Sequence, residues 1–289
     1  MPACNHCHDD ASSLLFTYKG YRLVSCRTCG LAYIANPPTE AELEALYSAK
    51  GGGTYHVQLR DPASPEQARM ARLAERHLRF VQRVARTGRL IDLGCSTGAF
   101  LTAAQRSGFA CSGIEYSLDS ARFAAEVTGL VVEHGTLAES TAAPGSIDVL
   151  TAFDVIEHVP DPAADLARMY QLLKPGGWLV LSTPNIDGLF PRISQPFAQL
   201  LGHWPHPEPP HHLYQFSVRT LRAMLGQAGF ASGPVQHCNI DLAYTFGALP
   251  TLLRMPQRLV YAAAFAPFAK LGPLLGLGDW FYIAARKPA

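Results

Sequence analysis

The stretch Arg89-Leu90-Ile91-Asp92-Leu93-Gly94-Cys95-Ser96-Thr97-Gly98-Ala99-Phe100 decides the fold. Leu90, Ile91 and Leu93 make a short apolar run of the kind that lies inside a parallel sheet covered on both faces. Gly94 and Gly98 follow where the chain turns into a helix. Without a Cβ, a ligand can come against the backbone and the helix start. A second apolar run, Ala110 to Ile114, ends on Glu115, a carboxylate placed to accept hydrogen bonds from a ribose diol. This order of strand, glycine turn, helix, strand and acid points to an adenosine-bearing cofactor at the carboxyl ends of parallel strands.

Glycine spacing narrows the choice. A dinucleotide fold uses G-x-G-x-x-G so that the backbone can close on a pyrophosphate, and here the middle glycine is missing. The pattern D-x-G-x-x-x-G over Asp92, Gly94 and Gly98 instead resembles motif I of the class I S-adenosylmethionine-dependent methyltransferases. Later segments agree. Ser146 to Phe153 followed by Asp154-Val155-Ile156-Glu157-His158-Val159-Pro160-Asp161-Pro162 resembles the fourth strand of that superfamily and its loop. Leu172-Leu173-Lys174-Pro175-Gly176-Gly177, then Trp178 to Asn185, resembles the turn into its fifth strand.

The resemblance covers roughly residues 88 to 240 and implies an α/β fold: a Rossmann-like, doubly wound, seven-stranded and mostly parallel sheet. It assigns Asp92, Gly94, Cys95 and Gly98 to the methionine end of the cofactor and Glu115 to the ribose. Tyr116 faces the adenine, Thr136 and Leu137 close over its edge, and Asp154 joins the cofactor contacts. His158 is placed as a general base, its ordinary pKa near neutrality suiting proton transfer from a hydroxyl or amine. His211 or His212 contacts the substrate or serves as that base. Asp154-x-x-Glu157-His158 also resembles the acid-x-x-Glu-His segment of the ubiquinone-pathway O-methyltransferases, which implies a divalent metal, Mg²⁺ on the hardness of carboxylate ligands.

Cys4-x2-Cys7 and Cys26-x2-Cys29 each offer two thiolates from one tight turn, the donor set of a structural Zn²⁺. The segment reads as a zinc ribbon with a small hairpin between Leu14 and Val24. It is too short for an apolar core of its own, so metal would supply folding energy. Basic residues between Cys7 and Cys26 are only Lys19 and Arg22, opposed by Asp9 and Asp10. The Cys26 to Tyr33 segment is more similar to the zinc-ribbon methyltransferases of bacterial small-molecule and cell-surface sugar pathways.

Three units are expected: a zinc ribbon over 1–36, a helical connector or cap over 37–88, and a methyltransferase domain over 89–289 with substrate-covering insertions at 184–216 and 241–279. Thr39 to Tyr47 reads as a short helix before a flexible Gly51-Gly52-Gly53 near Tyr55 and His56. Pro65 to Arg86 reads as an amphipathic helix. Met70, Leu73, His77, Phe80, Val81 and Val84 lie on one face, and an arginine stripe from Arg69 to Arg86 lies on another. The stripe reads as a solvated face or as a strip for an anionic partner. Pro184 to Phe216 reads as a long aromatic loop carrying His203, Trp204 and His206. Its end, Ser217, caps a helix over Val218 to Ala228. Asp241 to Asp279 is apolar but broken by prolines, arginines and a lysine, so it does not read as a membrane span. It reads as a pocket cover, a dimer contact or a shallow attachment to a membrane surface.

The 289 residues carry a net charge of +1, which argues against a general affinity for nucleic acid. Met1 to His8 has no apolar signal core, and the expected location is cytoplasmic, where seven cysteines serve as thiols or metal ligands. The expected activity is methyl transfer from S-adenosylmethionine to a small-molecule acceptor, a sugar or secondary metabolite O-methylated first among them. The rivals are an RNA methyltransferase guided by the ribbon and the stripe, and a non-catalytic cofactor-binding module.

Overall fold

The computed structural model describes residues 3–39, 41–43, 64–201, 204, 209–239, 245–246 and 249–289. Most of the expected 39–47 helix, the triple glycine with Tyr55 and His56, and both His203 and His206 lie outside these residues.

The centre of the molecule is a seven-stranded sheet. In chain order its strands are β4 (Gly88–Leu93), β5 (Phe109–Glu115), β6 (Val132–His134), β7 (Ile147–Phe153), β8 (Leu173–Pro184), β10 (Ala231–Cys238) and β11 (Trp280–Arg286). In space they run β10-β11-β8-β7-β4-β5-β6, and β11 alone runs opposite to the other six. The doubly wound, mostly parallel architecture that the resemblance implies is therefore the one observed. The strand order reverses between β4 and β7, the switch point where open α/β sheets bind ligands.

Helices cover both faces. α1 (Pro65–Val81) starts on the Ser64 cap. It buries His77, Phe80 and Val81 as the periodicity predicts, together with Ala74 and Leu78. It ends five residues before Arg86, so the arginine stripe does not run its full length along the helix. Arg76 donates to the Asn239 carbonyl and Arg83 to Gln236, which ties part of the stripe to the β10 edge. α2 (Ala99–Arg106) and α3 (Leu118–Thr128) follow β4 and β5. α4 (Pro162–Leu172) follows β7, capped by Asp161.

Pro184 to Phe216, expected as a loop, contains a helix, α5 (Leu189–Leu201), and the short strand β9 (Tyr214–Gln215). α6 (Val218–Gln227) then starts on a Ser217 cap reciprocated by Thr220, as expected. In the last insertion α7 (Leu249–Arg254) and α8 (Pro256–Leu271) lie on α5 through Phe190, Phe246 and Phe265. No helix among the described residues is long and apolar enough to cross a membrane.

The N-terminal strands β1 (Ser12–Tyr18), β2 (Tyr21–Cys26) and β3 (Ala32–Ile34) form a second sheet, β1-β2-β3-β9. Its last strand comes from the far part of the chain, with Tyr33 opposite Tyr214 and Ala32 opposite Gln215. Alternation sends Val24 and Tyr33 into the main core, and Leu23, Ala32 and Ile34 against Trp204 and Ala198 of the α5 segment. A segment too short for its own core thus shares two neighbouring ones.

Candidate active site

Three of the expected residues stand at the carboxyl ends of three adjacent parallel strands: Gly94 after β4, Glu115 on β5 and Asp154 after β7. Glu115 is buried, and its two carboxylate oxygens accept from the Ser96 and Ser117 amides at 2.8 and 2.9 Å. It therefore braces the glycine turn, and a carboxylate oxygen can still accept a second donor such as a ribose hydroxyl. Gly94 has φ +71°, and a Cβ there would sit 2.5 Å from Val155 Cγ2, so only glycine fits this crossing of the two loops.

The other motif residues divide between the cleft and the core. Asp92 is buried, and its Oδ1 accepts from the Thr151 hydroxyl at 2.6 Å. Burial pushes its carboxyl up to about 7. The Cys95 thiol packs with Leu101 and Ala124, and its sulfur would lie 2.6 Å from a Cβ on Gly113, so the side chain faces the helix layer. Gly98 caps α2 at φ +80°, and a Cβ there would meet Thr128 Cγ2 at 2.7 Å. Tyr116 is exposed at the rim. Thr136 is locked in a capping box by Glu139, and Leu137 is buried in the main core, leaving backbone as what this turn can offer a ligand.

Asp154 corrects one expectation. It adopts φ +57°, a left-handed conformation that aspartate tolerates better than most residues. Its carboxylate turns toward β8 and β11, accepting from Ser182 Oγ at 2.6 Å and Trp280 Nε1 at 2.8 Å. It does not join Glu157 and His158, so the acid-x-x-acid-His grouping inferred for Mg²⁺ does not assemble. The group that does assemble is Glu157, His158 and His212, with ligating atoms within 4.8 Å of one another. Two imidazoles and one carboxylate suit a borderline ion such as Zn²⁺ better than Mg²⁺.

The spacing of this cluster is set by backbone. The Leu213 and Tyr214 amides donate to the Glu157 carbonyl at 2.8 and 3.1 Å, clamping the segment before β9 onto the loop after β7. His158 Nδ1 donates to the His211 carbonyl at 2.8 Å, which leaves Nε2 as the acceptor of the neutral ring. Burial lowers the His158 pKa to about 4, below the near-neutral value expected from the sequence, so the ring is neutral at physiological pH and a weaker base than expected. Its plane meets that of His212 at 70° with centroids 4.8 Å apart. Glu157 is fully buried and accepts from Thr183 Oγ1 at 3.0 Å. His211 is exposed and contributes its carbonyl to this arrangement. Thr183, Ser182 and Trp280 were missed from the sequence, because no local pattern marks a residue whose partner lies on a distant strand.

The four cysteines come together. Cys4 and Cys29 sulfurs lie 3.4 Å apart, as do those of Cys7 and Cys26, too far for disulfides and all within 4.8 Å. Four thiols at this separation fit one tetrahedral Zn²⁺.

The sequence profile described as a methyltransferase domain matches residues 64–232, more than half of the chain. The chain belongs to the methyltransferase-domain family. Curated relatives of this family member include the ubiquinone biosynthesis O-methyltransferase of Thiobacillus denitrificans, 40% identical over 103 residues, which cover 34% of this chain and 44% of the relative. That of Paracidovorax citrulli is 30% identical over 137 residues, covering 39% and 57%. The chain thus spans about half the length of these relatives. Among solved structures, an S-adenosylmethionine-dependent methyltransferase of Thermotoga maritima superposes with TM-score 0.55 at 18% identity, covering 86% of this chain and all of that chain. One from Archaeoglobus fulgidus gives 0.55 at 17% identity, covering 81% and 99%. At these identities the superpositions speak for the fold.

Proposed function

We propose that this protein transfers the methyl group of S-adenosylmethionine to a hydroxyl of a small-molecule acceptor, a sugar or secondary metabolite first among the candidates. The observation that carries the reading is the alignment of Gly94, Glu115 and Asp154 at the carboxyl ends of β4, β5 and β7, across the switch point of the sheet. Oxygen as the methylated atom is supported by the two curated relatives, both ubiquinone biosynthesis O-methyltransferases. A net charge of +1, with Arg76 and Arg83 bonded along the β10 edge, weighs against RNA as the acceptor.

S-adenosylmethionine, when bound, supplies an electrophilic methyl carbon on a sulfonium. Glu115 holds the ribose diol, and the bare Cα of Gly94 lets the methionine end approach the turn. Acceptor chemistry falls to the far side of the cleft. His158 Nε2 takes the hydroxyl proton, while its Nδ1 stays fixed on the His211 carbonyl and the Glu157 carboxylate balances the imidazolium. Alignment of nucleophile and methyl supplies much of the rate. Cys4, Cys7, Cys26 and Cys29 hold a structural Zn²⁺ that stiffens the N-terminal sheet.

The test is calorimetric titration of S-adenosylhomocysteine into the full chain, followed by labelled methyl transfer to a panel of hydroxylated acceptors. Saturable binding and a methyl ether product are expected. A folded protein that binds no cofactor product overturns the reading.

A further inference from the structure

A helix apolar on every side belongs in a core. α8 is apolar around most of its circumference, yet only one side of it is covered. Phe265 and Ala269 pack inward against α5, while Pro256, Val260, Ala263, Ala264, Pro267 and Leu271 share the opposite side and are exposed. Exposed leucines flank the helix at both ends. Leu253 is 65% exposed before the helix, and Leu274 and Leu275 are 83% and 64% exposed in the 3-10 turn after it. So many exposed apolar side chains within one segment mark a binding face.

Charge selects the occupant. Residues 242–278 contain Arg254, Arg258 and Lys270 and no aspartate or glutamate. All three cations are exposed, and none takes part in the two ion pairs found among the described residues. Arg254 adjoins Leu253 and Lys270 adjoins Leu271, so long aliphatic stems border the apolar face with their charges at its edge. Two copies meeting through this face would bring like charges together. An anionic lipid surface accepts both parts, its acyl boundary the leucines and its headgroups the cations.

We propose that α7, α8 and the turn after them form a peripheral docking face for anionic phospholipid bilayers. The face is joined to the reactive end of the sheet: the Asn185 side chain, just past β8, donates to the Gly278 carbonyl at 2.7 Å, and the Leu189 amide donates to that of Leu277. A bilayer bound there lies beside the carboxyl ends of the strands, within the reach of an acceptor that partitions into lipid.

The experiment is flotation of the full chain with phosphatidylcholine vesicles, with and without phosphatidylglycerol. Wild type is expected to float with the anionic vesicles and to be released by salt. Leu274→Asp/Leu275→Asp should bind at least about tenfold more weakly, because both side chains are placed to enter the acyl boundary. Arg254→Gln/Lys270→Gln should weaken binding to anionic vesicles by about thirtyfold, since each of the two basic side chains near such a surface contributes about 1 kcal/mol. Circular dichroism and S-adenosylhomocysteine affinity, both unchanged in the variants, separate lost docking from lost folding and from the methyltransferase assignment. Absence of flotation, or flotation indifferent to both variants, overturns the proposal. A concentration-dependent dimer that Leu274→Asp/Leu275→Asp dissolves overturns it in favour of a second copy.

Discussion

Asp92 and Gly94 stand two residues apart and answer to different constraints. Burial raises the Asp92 carboxyl from its ordinary 3.8 to about 7, against the lowering effect of the Thr151 hydroxyl and with the Glu115 charge adding to the rise. The folded protein therefore keeps a proton that the unfolded chain releases. Its stabilising contribution is complete below about 3.8 and is lost as pH rises through about 7. Asp92→Asn keeps an acceptor oxygen for Thr151 and cannot ionise. It should gain stability over wild type as pH climbs from 4 to 8, by up to about 4 kcal/mol. His77 and His158, whose pKa values burial lowers, act in the opposite sense, but both proteins share them. Thermal unfolding midpoints of the two proteins across this range should diverge, and a constant gap would contradict the shifted carboxyl. At Gly94 the constraint is steric. Gly94→Asp places a side chain at φ +71° into Val155 and into the space assigned to the methionine tail. Calorimetry should find no saturable S-adenosylhomocysteine binding by the folded variant. Wild-type affinity would reject the assigned loop.

Gly98 belongs to the packing of α2 on α3. Gly98→Ala pays for a left-handed alanine and a 2.7 Å approach to Thr128 Cγ2, a loss of about 1–3 kcal/mol. Thr128→Ser removes that methyl and keeps the hydroxyl bonded to the Ala124 carbonyl. The double variant should recover part of the lost melting temperature, and strict additivity of the two changes would show that the contact does not matter. This pair also explains which features could be read in advance. β4, the glycine turn, β5 and its terminal acid are contiguous, so hydrophobic runs and glycine positions reveal them. The α1 face and the Ser217 cap likewise follow from local periodicity and capping. What sequence left hidden is non-local. Asp154 finds Trp280, 126 residues away, and so leaves the expected Mg²⁺ grouping. His212 joins Glu157 and His158 only because the chain before β9 is clamped to the β7 loop. The α5 helix escaped notice since its prolines and the aromatics after it read as loop, yet Trp204 pins that segment through Ser194 and an edge contact to Phe16.

The N-terminal module shares the main core with β4 and β5, but its polar contacts reach the segments that carry Glu157, His158 and His212. Asn5, within the first cysteine turn, donates to Asp161 at 2.9 Å and accepts from the Ala163 amide at 3.0 Å, gripping the start of α4 just after the His158 loop. Arg219 on α6 reaches back to the Cys29 carbonyl at 2.9 Å, and β3 holds β9 beside His212. Gly94 and Glu115 belong to β4, β5 and the turns after them, outside these contacts. Loss of the zinc proposed for the four cysteines should therefore loosen the loops that carry Glu157, His158 and His212 more than the glycine turn. Cys26→Ser, or treatment with a chelator, is expected to lower bound zinc below one per chain and to weaken acceptor turnover. S-adenosylhomocysteine affinity should stay within about twofold, as for sites that share no partner. Metal analysis, calorimetry and methyl-transfer rates on the same samples decide the matter. A parallel fall in cofactor affinity would mean that the two sheets act as one cooperative unit, and full zinc content in Cys26→Ser would remove that cysteine from the ligand set.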